Sequence, residues 1–447
     1  MGSEQQYIEL YREAADLLRK NSCNVMNEKR DEAFRAFCDL GFPTRKNENY
    51  KYTDVQAAFA PNYGLNLNRL EMKADPYKAY RCSVPNIGTA LYYMVNEQFH
   101  TLSKSKHVLP EGAYVGSICD YDKIHPGKLQ DFYGKIAVTD GDAVTALNTA
   151  LAQDGLLIYI PSGTKVEQVL QVVNLMHANV DLMTNRRTLI VLGDGSEVGL
   201  LFCEHVMDKV RFLTTNVTEI FVGKGACLNI YSVEETAANC TLFDNLYLSQ
   251  AEGGCLEYVS LSLRNGITRR TANFSFDGES GHARIMGAVV ADGNQKVDNH
   301  LLFDHKTGRC KSEVLYKYVL DGDAVGAFAG KVLVRPGAQQ TDSQETNANL
   351  CVSPTARMYT QPMLEIYADD VKCNHGSTVG QIDQAALFYM AQRGISPEEA
   401  RLLMQHAFVN EVLAQIKLEP LRERLSAMVE QRFRHSLKAC ADCGLCK

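Results

Sequence analysis

The sequence predicts a mainly β protein, with a long repetitive β core between two α-helical regions. Three observations carry that expectation. Apolar stripes of helical period occupy the first sixty residues and return after about residue 383. From residue 156 to about 370, alternating and β-branched runs dominate instead. Within that core Gly195, Gly225, Gly254, Gly281 and Gly308 recur at separations of 30, 29, 27 and 27 residues. A near-constant period of this size means stacked units, each covering its neighbour's apolar face. Two architectures accommodate it, a sandwich of long hairpins and a solenoid such as a β-helix. Sandwich strands usually recur every ~8–12 residues, so the solenoid, with several short strands per unit, is preferred.

In chain order, Tyr7, Tyr11, Ala14, Ala15 and Leu18 form one amphipathic helical face. Ala33, Phe34, Phe37 and Leu40 form a second, stopped by Gly41 and Pro43. Residues 61–124 have mixed texture. A helix is expected over 142–152, where Val144, Leu147 and Leu151 share a face and Gly155 supplies an end. The segments 156–160, 188–192 and 218–222 read as strands, and the glycines above as turns between strand pairs. Ser396-Pro397-Glu398-Glu399 is a helix start with a capping hydroxyl, a proline at the first helical position and a capping-box glutamate. Leu403, Ala407, Phe408, Val412 and Ile416 then make an apolar stripe. Pro420 opens another, with Leu421, Leu425, Met428, Val429 and Phe433. These stripes either cap the last β unit or dock a partner. The organisation is therefore a helical region over 1–150, a β core over 151–382 and a helical region with a Cys-rich tail over 383–447.

Composition narrows the function. Forty-six basic against 53 acidic residues leave a net charge of −7, which excludes a nucleic-acid-coating surface. No run of 18 apolar residues supports a membrane span, and the opening Met1–Gln6 lacks a signal-peptide layout, so a cytoplasmic location is expected. Fourteen cysteines in such a chain argue against a disulfide framework. Cys203, Cys227 and Cys255 sit in apolar or β-branched stretches and read as small buried hydrophobes. The nearest approach to a phosphate-binding loop, Gly326–Val332, is one residue short and ends in Val. Gly193-Asp194-Gly195 lacks the third glycine of a dinucleotide fingerprint, and no Gly-x-Ser-x-Gly or His-Glu-x-x-His occurs. A carbohydrate lyase or hydrolase on a β-helix is the competing enzyme class. Such enzymes tend to stack sugars on aromatic rings, and this chain has no Trp.

Two clusters carry soft-ligand chemistry. Alternation from Leu364 through Ile366 and Ala368, continued at period two, places Val371, Cys373 and His375 on one strand face. A thiol and an imidazole two residues apart can hold a borderline metal or part of a cluster. No second Cys/His pair lies nearby, so further ligands must come from elsewhere in space or from another subunit. At the C-terminus, Cys440, Cys443 and Cys446 have the Cys-x2-Cys-x2-Cys spacing of three ferredoxin-type ligands, without the fourth. Such a tail is expected to be poorly ordered without metal and to bind iron or zinc weakly.

The segment LEIYADDVKCNHGSTVG (residues 364–380), followed by LFYMAQRGIS (387–396), resembles the C-terminal signature of the SufB/SufD family of iron–sulfur cluster assembly proteins. The resemblance extends to GKVLVRPGAQQTDSQETNANL (330–350), YGKIAVTDGDAVTALNTALAQDG (133–155) and NENYKYTD (47–54). Length and the early segment favour the SufD branch, although Tyr50 stands where Trp is common. The resemblance implies a right-handed parallel β-helix between helical regions and a non-enzymatic role. It implies pairing with SufB, and binding of the ATPase SufC through the C-terminal helices. Here that contact falls on residues 387–412, with Leu387, Phe388, Tyr389, Arg393 and Phe408 as candidates. It places nascent clusters or transient iron, with no stably bound cofactor, at the SufB interface beside His375 and Cys373. Asn374 replaces the family's usual Ser between them. The isolated chain is a candidate homodimer. The cysteine tail lies outside the family pattern.

Overall fold

A computed structural model describes residues 2–70, 76–79, 88–100 and 108–437. The chain opens with α1 (Glu4–Lys20) and α2 (Asn24–Leu40), which bury Tyr7, Tyr11, Ala14 and Leu18 and then Ala33 and Phe37. Leu40 is exposed, because α2 stops there and Gly41 turns the chain away with φ +57°. A 3-10 turn (Glu48–Tyr50), α3 (Val55–Phe59) and α4 (Pro76–Ala79) follow. Next come β1 (Ala90–Val95), β2 (Gln98–His100), β3 (Tyr114–Ser117), α5 (Ile118–Ile124) and α6 (Ala143–Leu151). Asp142 caps α6 through the backbone N–H groups of Val144 and Thr145. The helix ends at Leu151, short of Gly155. That glycine serves a different need, since a Cβ there would overlap the Arg187 carbonyl as the chain enters the core.

Sixteen strands, two per coil, then build the core. They are β4 (Leu156–Ile160), β5 (Lys165–Met176), β6 (Leu182–Leu192), β7 (Glu197–Val206), β8 (Phe212–Val222), β9 (Cys227–Glu235), β10 (Cys240–Gln250) and β11 (Cys255–Arg264). The second half comprises β12 (Ile267–Phe276), β13 (His282–Ala291), β14 (Lys296–His305), β15 (Lys311–Leu320), β16 (Val325–Val334), β17 (Thr341–Cys351), β18 (Arg357–Ile366) and β19 (Val371–Gly380). Even-numbered strands from β4 to β18 stack in one sheet and odd-numbered strands from β5 to β19 in the other, each strand parallel to the next of its sheet. The architecture is a parallel β-solenoid of about eight turns with helices on either side of it in sequence. Each unit holds two strands of about ten residues rather than several short ones. The sandwich alternative is excluded, because every neighbour within the stacked core is parallel.

The expected glycine turns need a correction. All five lie in turns, but they do not occupy equivalent places. The equivalent corner, two residues before each odd-numbered strand from β5 to β15, is held at positive φ by Gly163, Gly195, Gly225 and Gly253, then by Ser280 and Arg309, and Gln340 takes the same conformation one residue before β17. Gly254 and Gly281 stand one residue later and Gly308 one residue earlier than that corner. The period is real because the coil geometry demands a left-handed residue at the corner. Glycine satisfies the demand most cheaply, but side chains are tolerated where other contacts hold the turn.

Side chains alternate between a lumen and two outer faces. The lumen is filled by a column-like core including Leu200, Ile230, Tyr258, Ile285 and Val314. The N-terminal helices cover the outer face of the even-stranded sheet, where Met183, Leu213 and Phe243 meet α1, α2, α3 and α6. One ion pair anchors that cover. Arg187 Nη2 lies 2.6 Å from Glu219 Oε2, and both side chains are fully buried. Glu219 also accepts from the backbone N–H groups of Gly134, Lys135, Ile136 and Ala137 at 2.7–3.1 Å. The Arg187 guanidinium sits 4.8 Å from the Tyr133 ring centroid. The carboxylate thus ends the sheet's outer face and tethers the 134–137 loop at once.

The C-terminal helices do not cap the solenoid end. Helices α8 (Pro397–Leu413) and α9 (Glu419–Phe433), preceded by α7 (Gln384–Gln392), lie along the outer face of the odd-stranded sheet. There Val409, Val412, Leu413, Ile416, Leu421, Leu425, Met428 and Val429 pack with Leu261, Met286, Ala288 and Val319. Leu403 and Ala407 belong to the expected stripe but are exposed, because the buried face of α8 runs through Ala400, Met404 and Val409 instead. Ser396 does cap α8, accepting from Glu399 N at 3.2 Å; the Glu399 carboxylate pairs with Arg434 instead of closing the box. The cysteines follow expectation with one amendment: Cys23 and Cys119 form a disulfide, the single one among the described residues, with Cα atoms 5.1 Å apart. Cys203, Cys240, Cys310 and Cys351 are buried, whereas Cys227 and Cys255 are half-buried neighbours in register on β9 and β11.

Removing one partner of a buried ion pair leaves an uncompensated charge and typically costs about 3–5 kcal/mol. Glu219→Ala also frees four backbone donors. It should lower stability by at least that amount, visible as an earlier urea midpoint. A loss below ~1 kcal/mol would show that the 134–137 loop is held by something else.

Candidate functional site at the open end of the solenoid

A stacked solenoid must stop somewhere, and the two ends stop differently. At the first, β3 runs antiparallel to β4 and β2 antiparallel to β1, so parallel stacking is closed off. At the last, β18 and β19 are edge strands, and their lumen-side residues are mostly half-buried or exposed. Tyr359, Met363, Ile366, Tyr367 and Val379 are exposed large apolar side chains on or beside this coil. Unpaired strand edges next to apolar side chains are a template for another chain.

The sequence-predicted pair lies on this last strand. Val371 and Cys373 pack against the lumen core, and His375 follows on the same alternation but is exposed. Burial pushes the Cys373 thiol up from its ordinary value, with a hydrogen bond to the Ser343 backbone opposing the shift. Cys373 is therefore held as a thiol against the core, while His375 presents an accessible ring at the rim. Beneath Cys373 the column continues through Ser343 to Ser312, whose hydroxyls are 2.7 Å apart. Ser312 lies 3.0 Å from His305 Nε2, and that ring stacks on Phe276 at 4.3 Å between centroids.

Beneath His375 stands Glu345, its in-register neighbour on β17. Glu345 is 2% exposed, and burial raises its carboxyl from 4.5 to about 7. Neither oxygen has a hydrogen-bond partner. Its neighbours' amide donors are engaged elsewhere: Asn349 Nδ2 donates to Thr378 O at 2.8 Å and Asn347 Nδ2 to Tyr316 O at 3.3 Å. Thr360 and Ser377 join the two strands of the last coil at 2.7 Å. Sequence reading missed this floor. Its signal was the run of Thr341, Ser343, Glu345, Asn347 and Asn349, which puts five polar residues on the lumen face where earlier strands carry apolar ones. Among the described residues no three His, Cys, Asp or Glu side chains converge as a metal cage.

The other candidates are placed elsewhere. Helix α7 buries none of its residues: Phe388 is 66% and Tyr389 57% exposed, while Leu387 rests on the odd-stranded face. Arg393 donates to the Tyr389 hydroxyl at 2.8 Å and stands over its ring. Phe408 is half-buried, with Lys317 Nζ 4.5 Å from its centroid. Cys440, Cys443 and Cys446 fall outside the described residues. The early Asn47–Asp54 motif proves to be a strap along the even-stranded sheet. Tyr50 donates to Asp142 Oδ1 at 2.6 Å and Thr53 to Asp298 Oδ2 at 2.6 Å, while Tyr52 stacks on Tyr359 at 4.3 Å.

Fold and site together define a parallel β-solenoid with open strand edges on its terminal coil, polar and imidazole-bearing at its lumen, and a largely exposed apolar helix following it in the chain. Residues 174–408 match the SUF system FeS cluster assembly SufBD core domain, and residues 1–172 match the SufBD protein N-terminal region. The chain belongs to the SufBD family of iron–sulfur cluster assembly proteins. It is 26% identical to the iron–sulfur cluster assembly protein SufD of Escherichia coli, over 88% of this chain and 90% of that protein. Against SufD of Bacillus subtilis the identity is 25%, covering 87% and 89%. A SufBD family protein of Synechocystis is 25% identical, covering 92% and 91%. Among the described residues no helix is long and apolar enough to cross a membrane.

Burial pushes His305 down to about 4, with Asp304 opposing the shift. The folded chain therefore keeps this ring neutral while the unfolded chain takes up a proton near pH 6.5. Between those values the unfolded state holds more protons, so stability falls on acidification, by about 3 kcal/mol at most. His305→Phe should weaken the protein at pH 7 through the lost Ser312 contact. It should nevertheless lose less melting temperature than wild type between pH 7 and pH 4.5. An equal loss in both would show that other groups govern acid unfolding.

Proposed function

We propose that the chain is a SufD-type, non-enzymatic subunit of a cytoplasmic iron–sulfur assembly scaffold. In this reading its open end pairs with a SufB-type partner and its α7–α8 segment carries a SufC-type ATPase. The observation that carries the reading is the uncapped last coil, where free strand edges and exposed apolar side chains surround His375. The neutral imidazole can ligate iron through either ring nitrogen. Cys373 stands behind it as a thiol that a bound metal would deprotonate. Iron and the nascent cluster are cargo held briefly between the subunits. The ATPase reading rests on α7, whose apolar Phe388 and Tyr389 lie uncovered in this chain. The same free edges favour self-association when the isolated chain lacks its partner.

Co-expression with SufB and SufC should yield a co-purifying complex containing iron and sulfide. Phe388→Asp with Tyr389→Asp should abolish SufC capture without moving the melting temperature, because neither side chain is packed. Retained capture would reduce α7 to a connector. His375→Ala should cut cluster formation while costing under about 1 kcal/mol, since an exposed ring contributes little packing. Unchanged cluster yield would remove His375 from the site.

A further inference from the structure

The lumen column beneath His375 changes character only at its end. Leu200, Ile230, Tyr258, Ile285 and Val314 are succeeded by Glu345 and then His375, each in register with the next. An ionisable carboxyl at the last buried position of an apolar column is costly unless something compensates it. Nothing in the described chain does. Val314 lies below it, both carboxylate oxygens lack a partner, and the polar side chains in neighbouring columns bond to one another or to backbone carbonyls instead. The space it uses is made for it. A Cβ on Gly330, across the lumen on β16, would overlap the Glu345 carboxylate. The glycine thus leaves room for a carboxyl group where any side chain would collide with it.

We propose that Glu345 is the buried floor ligand of a ferrous-iron entry site whose rim ligand is His375. The inference rests on the scaffold reading above and adds to it a residue, a ligand chemistry and a position. In-register side chains on adjacent parallel strands start about 4.8 Å apart, a spacing that one ion with bonds of about 2.0–2.2 Å can bridge. A carboxylate with an imidazole is a donor set suited to divalent first-row cations, and leaves coordination positions open. No third side chain converges among the described residues. Water completes the shell in the isolated chain, and the docking subunit replaces it on assembly. The site is approachable because the coil above it is absent. A cation also supplies what the column lacks, a positive partner for a buried carboxylate.

The test is an anaerobic titration of the full isolated chain with ferrous iron against a chromogenic chelator. Wild type should hold one ferrous ion, and Glu345→Gln and His375→Ala should each weaken it at least tenfold. Glu345→Gln should melt no lower than wild type, because it removes an uncompensated acid. Gly330→Ala keeps every ligand and displaces only the carboxylate; it should weaken binding comparably. Affinity within twofold of wild type in Glu345→Gln, or in both Gly330→Ala and any folded Glu345 variant, overturns the proposal. So does a wild-type chain that binds no more iron than His375→Ala. Capture of SufB by the same samples separates the two readings. Lost iron with retained capture supports the site, whereas wild type that binds iron but fails to capture SufB overturns the pairing and not the ligand.

Discussion

Every feature of this molecule depends on parallel, in-register stacking. Because each strand lies directly over its equivalent in the preceding coil, a side chain's neighbours in the lumen are set by its column and not by its neighbours in sequence. Columns can therefore be uniform for several coils and change at one. The column from Leu200 to Val314 does so, ending in Glu345 and His375. Stacking also creates the molecule's liability. It satisfies backbone groups along both sheets but leaves the last strand's outer edge without a partner. The first end closes with antiparallel strands, and the last end does not.

The helical regions follow from the same constraint. A two-sheet solenoid has two outer faces, and here both are apolar enough to require cover. The N-terminal helices take one, tethered by the Arg187–Glu219 pair, and α8 with α9 take the other. Apart from the 47–54 strap, which touches Tyr359 and Gln361 on the outer face of β18, neither set reaches the terminal coil, so the chain's own helices brace the flanks and leave the last strand edges available. The remaining helix, α7, sits where the chain leaves β19 and touches the odd-face cluster only through Leu387, so Phe388 and Tyr389 stay exposed. The open coil and α7 are thus adjacent in sequence.

The chemistry at the end divides between two residues that look alike in sequence. Cys373 and His375 share a strand face, but one coil of core lies against the thiol while the imidazole stands at the rim. Packing raises the Cys373 thiol above its ordinary value and leaves the His375 ring exposed at the rim. Glu345 is thirty residues earlier in the chain yet directly below, which is the kind of proximity only a coil repeat produces.

Much was legible in the residues themselves. Helical and two-residue periodicities are local properties of backbone geometry, so α1, α2, α6, α8, α9 and the alternating strands could be read directly. The near-constant glycine spacing announced stacked units even though the equivalent corner passes from Gly253 to Ser280 and Arg309. The Cys373–His375 pair was visible because two residues on one strand face need no tertiary information. Three things were decided only by the folded chain. Which face of α8 is buried depended on how the helix lay on the sheet, so Ala400 and Val409 went inside while Leu403 and Ala407 stayed outside. The 47–54 motif became a strap because its partners, Asp142, Asp298 and Tyr359, are distant in sequence. Glu345 became a candidate ligand because burial and the absence of a partner are properties of its column. Periodicity is encoded residue by residue, whereas a column exists only once the coils have stacked.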